Sequence, residues 1–276
     1  MRNTLYNPRG WLNGIVRPAA WYLRELYRNP AYRALQRFDR RLKHLPRFNP
    51  SRVNFGEKVL RLCDGPSFLT AWDEIFVNQI YDIGPLDHEP CLVDAGANIG
   101  LAAMYWKYRY GNFRYLGFEP DPAVAACCSE NLLAWGISGE LLQFALGAEE
   151  KMMDFVSDGA DGGRLVSGAN PTSIRVPVKK LSSILPPAVD LLKIDVEGAE
   201  LDVLEDIAPL LGGVRSLFVE FHATMGRPGL GRAITLLESA GFDCYPQVGA
   251  GPAQPFVGRT LRQEFSQKLN LYAVRP

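Results

Sequence analysis

A glycine-containing motif near residue 94 has the residue types and the spacing of a site for a nucleotide-like ligand. Residues 92–100 read L-V-D-A-G-A-N-I-G, an apolar strand that runs into a tight turn and then a helix. Gly96 and Gly100 let a ligand approach the backbone, and the start of the helix offers unpaired N–H groups. Nicotinamide-binding turns use such groups to hold a pyrophosphate. Here the carboxylate of Asp94 precedes the first glycine, where it would repel a pyrophosphate but suits the ammonium and sulfonium groups of S-adenosylmethionine, the predicted cofactor.

A second carboxylate, Glu119, follows the apolar segment Arg114–Phe118. A carboxylate at the end of the second strand can accept hydrogen bonds from both hydroxyls of a ribose. Nicotinamide enzymes and methyl-donor enzymes share this geometry, so Glu119 alone does not discriminate between them. The predicted cofactor-binding residues are Asp94, Gly96, Asn98, Gly100 and Glu119. The alternative is that the glycines form a purely structural turn.

Two later apolar segments also end in titratable residues. L-L-K-I runs into Asp195 and Glu197, and L-F-V is followed by Glu220 and His222, which strand alternation places on one side. Ligands of open α/β sheets bind outside the carboxyl ends of the strands, so all these side chains are expected to meet at one edge. Acids at the start of a helix are also favourable without a ligand, which is the alternative for Asp195 and Glu197.

The elements that position these residues alternate between short apolar runs and amphipathic helices, which predicts strands joined by crossover helices in a mostly parallel sheet. Seven strands are predicted at Cys91–Ala95, Arg114–Phe118, Glu140–Phe144, Asp190–Ile194, Ser216–Phe221, Phe242–Gln247 and Leu269–Val274. Helices are predicted at Ile99–Tyr108, Pro122–Trp135, Ala199–Leu210 and Leu230–Ala240. An extra pair of strands, Met152–Val156 and Ile174–Val178, flanks a glycine-rich loop at Asp158–Gly168. No convincing helix separates the last two principal strands, which are therefore expected to pair as an antiparallel hairpin.

The motifs D-A-G-A-N-I-G, F-E-P, L-L-K-I-D-V-E-G-A-E and V-E-F-H, in this order and spacing, resemble the FkbM family of S-adenosylmethionine-dependent methyltransferases over residues 53–276. The resemblance implies an α/β fold of the Rossmann-like class I methyltransferase type, with a seven-stranded, mostly parallel sheet. It also implies methyl transfer, usually to a hydroxyl oxygen of a sugar, glycolipid or other small molecule. Two other classes stay open: a scaffold that binds the cofactor without turnover, and a nicotinamide-dependent oxidoreductase, against which Asp94 argues.

Methylation of a hydroxyl needs a base, because an unactivated hydroxyl is a poor nucleophile at neutral pH. His222 is the first candidate, Glu220 could orient its ring, and Asp195 is the alternative base. The predicted catalytic residues are therefore His222, Asp195 and Glu220, and a purely structural histidine is the alternative for the first of them. Carboxylates at positions 195, 197 and 220 could hold Mg²⁺. No spacing requires that ion, so no metal is predicted.

Residues 1–50 differ in charge from the rest of the chain. They contain 11 of the 30 Lys and Arg residues but only two of the 30 acidic residues, so this segment carries +9 and the remainder −9. We predict a basic helical extension over residues 1–50 and a methyltransferase domain over residues 51–276. A helix is expected from Pro30, capped by Asn29, and a further helical turn from Pro18.

Three roles are open for this extension. It could pack on the acidic domain, attach to a partner enzyme, or lie on a membrane surface, for which Trp11, Trp21 and Tyr22 beside arginines are suited. Packing within the chain already accounts for the charge complementarity. The expected partner is a small-molecule, sugar or glycolipid hydroxyl acceptor, with membrane contact as an additional alternative.

Composition limits the class of protein and its compartment. With 47% hydrophobic and 22% charged residues the chain has the composition of a globular protein, and its acidic body argues against nucleic acid as a partner. Five cysteines without a C-x-x-C pair favour a reducing compartment. The longest charge-free stretch, residues 244–258, contains three prolines, and the N-terminus lacks the apolar core of a signal peptide. These features predict a cytoplasmic protein, with peripheral contact at the inner membrane face as the alternative.

Overall fold

The computed structural model describes residues 28–160, 162–166, 172–223, 229–250 and 267–276. The helical turn predicted from Pro18 lies outside these ranges, as do Trp11, Trp21 and Tyr22. Parts of the predicted glycine-rich loop, residues 161 and 167–168, lie outside them as well.

Helices and strands alternate along the described chain. The helices are α1 (Pro30–Leu42), α2 (Gly65–Trp72), α3 (Leu101–Tyr110), α4 (Pro122–Trp135), α5 (Glu200–Ile207) and α6 (Leu230–Ser239), with a π-helical turn at Asp73–Val77 and 3-10 helices at Leu181–Ser183 and Ala208–Gly213. The strands are β1 (Ser51–Phe55), β2 (Lys58–Leu62), β3 (Cys91–Ala95), β4 (Arg114–Phe118), β5 (Gly139–Leu142), β6 (Ala145–Leu146), β7 (Lys151–Val156), β8 (Arg164–Val166), β9 (Ile174–Lys179), β10 (Val189–Ile194), β11 (Val214–Ala223), β12 (Asp243–Ala250) and β13 (Gln267–Val274). Among the described helices, none combines the length and apolar character that a bilayer crossing demands.

The central sheet has seven strands in the order β12-β13-β11-β10-β3-β4-β5. From β11 to β5 neighbouring strands run parallel, because crossover helices return the chain to the same edge. Strand β13 lies between β12 and β11 and is antiparallel to both. All seven predicted strands are thus found in one mostly parallel sheet, and the predicted antiparallel C-terminal hairpin is confirmed.

Several predicted boundaries were wrong. The third strand ends at Leu142 rather than Phe144, and the α-helix expected to reach Leu210 ends at Ile207, since Pro209 has no N–H to continue it and a 3-10 helix follows. Strand β11 extends to Ala223 because β13 pairs along it as far as this residue. His222 therefore lies inside a strand, opposite Lys268, and not beyond its end.

Two smaller sheets accompany the central one. Strands β1 and β2 form an antiparallel hairpin that the sequence did not indicate. The predicted extra strands are present as β7 and β9, which pair with each other and form a four-stranded sheet with β6 and β8. Strand β8 lies within the segment predicted as a glycine-rich loop, because three of its residues pair with β7.

Helix α1 packs on the domain that follows it. Asn29 Oδ1 caps the helix by accepting hydrogen bonds from the backbone N–H groups of Ala31 and Tyr32, and Pro30 is the first helical residue, as predicted. The Phe38 ring lies 5.0 Å from that of Trp72, and Trp72 Nε1 donates a hydrogen bond of 2.9 Å to the Ala31 carbonyl. The described part of the basic segment therefore shares the core of the domain, whereas a boundary at residue 50 stays a prediction.

Candidate active site

A cavity of about 320 Å³ opens at the carboxyl edge of the central sheet. Five of the predicted site residues line it: Gly96, Asn98, Glu119, Asp195 and Glu220. The other three, Asp94, Gly100 and His222, are buried behind that lining. Parallel strands β3, β4, β10 and β11 all end here, which is why residues far apart in the sequence meet.

The turn after β3 is closed by hydrogen bonds within the chain. The N–H groups of Gly96 and Ala97 both donate to the Phe118 carbonyl, at 3.1 and 2.8 Å. The N–H of Asn98 donates to Glu119 Oε2 at 2.9 Å, and Ile99 N–H donates to the Asn98 side-chain oxygen. These groups belong to the turn that precedes α3. Helix α3 itself has no side-chain cap, so the expectation that its start offers unpaired N–H groups stays a prediction.

Gly96 is required by the geometry of this turn. Its φ is 91°, and a Cβ placed on it would overlap the backbone oxygen of Asp195. Gly96 thus lets the turn after β3 approach the end of β10 more closely than any other residue would. Asn98 also has a positive φ, of 49°, and its Nδ2 donates to the Ala160 carbonyl at 3.0 Å. Its side chain therefore holds the segment that follows β7 over the cavity.

Glu119 is buried at the cavity wall, with 7% of its surface exposed. Its two carboxylate oxygens accept hydrogen bonds of 2.9 Å from the N–H groups of Asn98 and Asp121. Burial raises the pKa of Glu119 to about 7, although the two hydrogen bonds oppose that rise. The carboxyl group therefore changes its charge near neutral pH.

Asp94 lies behind the cavity and is fully buried. Lys193 Nζ is 3.1 Å from Asp94 Oδ1 and 3.5 Å from Asp195 Oδ2, and it also donates to the Gly96 carbonyl. Tyr115 donates its hydroxyl to the other oxygen of Asp94 at 3.3 Å. Burial raises the pKa of Asp94, and Lys193 opposes that rise. A charged side chain inside an apolar strand needs such partners, and Lys193 has two acidic ones.

His222 is enclosed by carboxylates. Its Nδ1 is 2.9 Å from Glu200 Oε1, and its Nε2 is 3.3 Å from Glu197 Oε2 and 3.5 Å from Glu220 Oε1. Burial alone would lower the pKa of His222, but the hydrogen bond to Glu200 and the surrounding negative charges raise it to about 9. The ring is thus a cation at neutral pH and does not have the free lone pair of a general base.

Glu200 is a residue that the sequence reasoning missed. It is 1% exposed, and its Oε1 accepts hydrogen bonds from Gly198 N–H at 2.9 Å and Val196 N–H at 3.2 Å. It therefore shapes the loop between β10 and α5 as well as holding His222. The signal that could have revealed it is the second acid of the V-E-G-A-E motif, three residues after Glu197.

Helix capping does not explain the other two acids of this loop. Helix α5 has no side-chain cap, so Asp195 and Glu197 do not serve that purpose. Glu197 has a φ of 53°, an unusual value for a residue with a side chain, and burial raises its pKa to about 8. Both side chains face the cavity instead.

Part of the remaining wall of the cavity comes from elements that the sequence did not connect to the site. Glu74, on the π-helical turn, and Tyr81 line it from one side. Lys268 and Asn270 of β13 line it from another, and the Lys268 ammonium contacts Glu220 Oε1. No local pattern could have identified these residues, because they reach the site only through long-range packing.

The central sheet and the site at its carboxyl edge define a class I, S-adenosylmethionine-dependent methyltransferase. Residues 94–244, more than half of the chain, match the family model described as the methyltransferase FkbM domain. The chain belongs to this family, as its motifs indicated.

The chain is similar to curated methyltransferases and to a solved structure. Methyltransferase 1 of Beauveria bassiana is 32% identical over 197 residues, which are 61% of this chain and 78% of that protein. The 31-O-demethyl-FK506 methyltransferase FkbM of Streptomyces tacrolimicus is 25% identical over 208 residues, which are 61% of this chain and 79% of that protein. The crystal structure of methyltransferase FkbM from Methylobacillus flagellatus aligns at 15% identity with a TM-score of 0.47, covering 92% of this chain and 60% of that one.

Proposed function

We propose that the protein transfers a methyl group from S-adenosylmethionine to a hydroxyl oxygen of a small molecule, such as a sugar or a glycolipid. The observation that carries the proposal is the carboxylate of Asp195, which lines the cavity with 24% of its side chain exposed. A proton acceptor at this position is what hydroxyl methylation requires. The relative from Streptomyces tacrolimicus, whose name specifies an O-demethyl substrate, supports the same chemistry.

The cofactor would lie along the edge formed by the turn after β3 and the end of β4. Glu119 would accept hydrogen bonds from the ribose hydroxyls, and Gly96 would let the cofactor approach the backbone. Asp94, Asn98 and Gly100 would act indirectly. Asp94 holds Lys193 against the Gly96 carbonyl, Asn98 holds the Ala160 segment, and Gly100 starts α3 with a φ of 83°.

The reaction would be an in-line displacement. The hydroxyl oxygen forms a bond to the methyl carbon, the bond from that carbon to the sulfonium breaks, and S-adenosylhomocysteine leaves. The hydroxyl proton passes to Asp195, so charge is balanced as the neutral thioether forms. Alignment of donor and acceptor in the cavity would supply most of the remaining acceleration.

We assign His222 a positioning role in place of the first-choice base role that its sequence position suggested. Its raised pKa, of about 9, and its lack of contact with the cavity support this change. Glu220 lines the cavity beside Asp195 and contacts Lys268, so it would orient the acceptor.

We also propose that residues 1–50 form a basic extension and that residues 51–276 form the methyltransferase domain. Contact of the extension with a membrane is a further proposal.

Two measurements test this function. The first is calorimetric binding of S-adenosylmethionine to the full chain, which Glu119→Ala should weaken and the exposed-site control Glu140→Ala should not. The second uses methyl-labelled cofactor with a panel of sugar and glycolipid hydroxyl acceptors. We expect the label to appear in an alkali-stable ether. Asp195→Asn should bind the cofactor normally and lower kcat by about 10²- to 10⁴-fold.

Two other outcomes would count against the proposed function. Label found in an ester or an amine would contradict hydroxyl methylation. Cofactor binding without turnover on any acceptor would favour the scaffold alternative.

A further inference from the structure

We propose that Asp195, Glu197, Glu220 and His222 bind one divalent cation beside the cavity, with Mn²⁺ as the best match. Each of these residues offers one ligand atom, and the four atoms lie within 4.8 Å of one another. Ligands on opposite sides of such an ion are about 4.2 Å apart, twice the usual metal–oxygen distance of about 2.1 Å. Small inward movements of the side chains would therefore complete the site. Three carboxylates with one imidazole suit Mn²⁺ better than Mg²⁺.

The fold brings the four ligands together from two neighbouring parallel strands. Ile194, the last residue of β10, pairs with Val219 of β11, so Asp195 follows one strand where Glu220 continues the other. Alternation along β11 puts Glu220 and His222 on the same face. The sequence alone predicted no metal, because no spacing required the ion. It also did not show that His222 joins the carboxylates.

The position of the His222 ring is the first independent observation. Glu200, which lies outside the four-residue set, holds Nδ1 at 2.9 Å and is itself 1% exposed. Nε2 is thereby directed at Glu197 and Glu220, and the proton that it carries without a metal would leave when the cation binds. Histidine ligands of metals usually have this arrangement, with a carboxylate on the ring nitrogen that faces away from the ion.

A buried carboxylate oxygen is the second observation. Asp195 Oδ1 is inaccessible to solvent and has no hydrogen-bond partner among the described residues. An orphaned buried oxygen of this kind is unfavourable, and more so when it is charged. A cation bound to the four side chains would remove that cost.

Carboxyl groups outnumber basic groups around the site within the described part of the chain. The surrounding carboxylates are those of Glu74, Asp94, Asp195, Glu197, Glu200 and Glu220. The basic groups among them are Lys193, Lys268 and His222. Lys268 competes for Glu220, but its side chain is 43% exposed and can turn away from the site. A divalent cation would pair with these carboxyl groups once they release their protons.

The cation would act on the acceptor, and this role rests on the proposed function. A hydroxyl oxygen bound to a divalent cation has a lowered pKa, so it loses its proton more readily. Asp195 would bind the cation through Oδ1, which leaves its Oδ2 to take that proton. The binding of the cation itself does not depend on which acceptor is methylated.

The experiment measures binding directly with the full chain. After treatment with EDTA and desalting, MnCl₂ is titrated and free Mn²⁺ is followed by electron paramagnetic resonance, with and without S-adenosylmethionine. We expect one Mn²⁺ per chain, with binding abolished in Glu197→Gln and Glu220→Gln and weakened about 10- to 100-fold in Glu200→Gln. The matched control is Asp202→Asn, an exposed acid of α5, which should bind as the wild type does.

Several results would overturn the proposal. Folded wild-type protein that shows no saturable Mn²⁺ binding in either condition would do so, as would binding that survives both Glu197→Gln and Glu220→Gln. Should the variants fail to fold, pulsed resonance on the wild type decides the matter. A histidine nitrogen coupled to the bound Mn²⁺ supports the site, and its absence contradicts it.

The same data separate this proposal from the proposed function. Mn²⁺ bound to these residues in a protein that methylates no hydroxyl would refute the function and leave the metal site standing. Turnover on a hydroxyl acceptor by wild-type protein that binds no Mn²⁺ would refute the metal site and leave the function standing.

Discussion

The Lys193 ammonium lies 3.1 Å from Asp94 Oδ1, and both side chains are buried at the ends of neighbouring parallel strands. The same ammonium reaches Asp195 at 3.5 Å and the Gly96 carbonyl. The Lys193 ammonium thus connects the turn that would face the cofactor with the carboxylate that would act on the acceptor. These contacts explain how a lysine is accommodated inside an apolar strand.

Replacing this lysine should destabilise the protein. Lys193→Met leaves the Asp94 carboxylate buried with only the Tyr115 hydroxyl as a side-chain donor, and breaking a buried ion pair in this way costs about 3–5 kcal/mol. Urea unfolding at pH 7.5 measures the loss in the free energy of unfolding. The double variant Asp94→Asn/Lys193→Met should recover most of it. A loss below about 1 kcal/mol in Lys193→Met would show that the pair has no such role.

Gly96→Ala should abolish cofactor binding, because a Cβ at this position would collide with the backbone of Asp195 and displace the turn. Gly111→Ala is the matched control. Gly111 also has a positive φ, of 77°, but nothing lies within 4 Å of its would-be Cβ. Calorimetry should therefore detect S-adenosylmethionine binding in the control and none in Gly96→Ala. Equal affinities in the two variants would mean that the close approach at Gly96 is not needed.

The affinity for S-adenosylmethionine should rise with pH between about pH 6 and 8. The pKa of Glu119 is raised to about 7, and only the ionised carboxylate accepts hydrogen bonds from both ribose hydroxyls. Below that pKa the affinity should change by up to about tenfold per pH unit. Calorimetry across the range should show this slope in the wild type and a flat, weaker profile in Glu119→Gln. A wild-type profile parallel to that of the variant would contradict the role of this carboxylate.

The ionisation of Glu119 should affect stability in the opposite direction to cofactor affinity. Its contribution to the free energy of unfolding should fall as the pH rises. The folded-state pKa of Glu119 lies above its ordinary value of 4.5, so between these values the folded protein binds more protons than the unfolded chain. Its contribution to the free energy of unfolding is complete below pH 4.5 and is lost as pH rises to about 7. The difference in unfolding free energy between wild type and Glu119→Gln should therefore fall with pH across this window.

Helix α1 should be essential for the stability of the domain. The Phe38 ring packs 5.3 Å from that of Phe68 and is 4% exposed. Phe38→Ala should lower the free energy of unfolding by about 3–5 kcal/mol in a single cooperative transition. The control Arg37→Ala, on the exposed face of the helix, should change it by less than about 0.5 kcal/mol. A separate early transition for the helix would instead indicate that α1 folds independently of the domain.

Much of the fold could be predicted from the sequence because its signals are local. The apolar runs that became β3, β4 and β10, the capping pair Asn29 and Pro30, and the order of the helices all follow from spacing within a few residues. The four-stranded sheet containing β6 and β8 could not be predicted in this way. Two- and three-residue strands have too little periodicity to stand out, and they exist only because longer strands lie beside them.

The candidate site, too, could be predicted from the sequence only in part. The sequence by itself determined which acids stand at the strand ends, that a glycine turn follows β3, and that the chain resembles the FkbM family. The tertiary structure alone decided that His222 is enclosed by Glu197, Glu200 and Glu220, and that Lys268 reaches the cavity. Residue type and spacing fix a side chain's place along an element. Its charge state and partners depend on burial and on groups brought together by long-range packing.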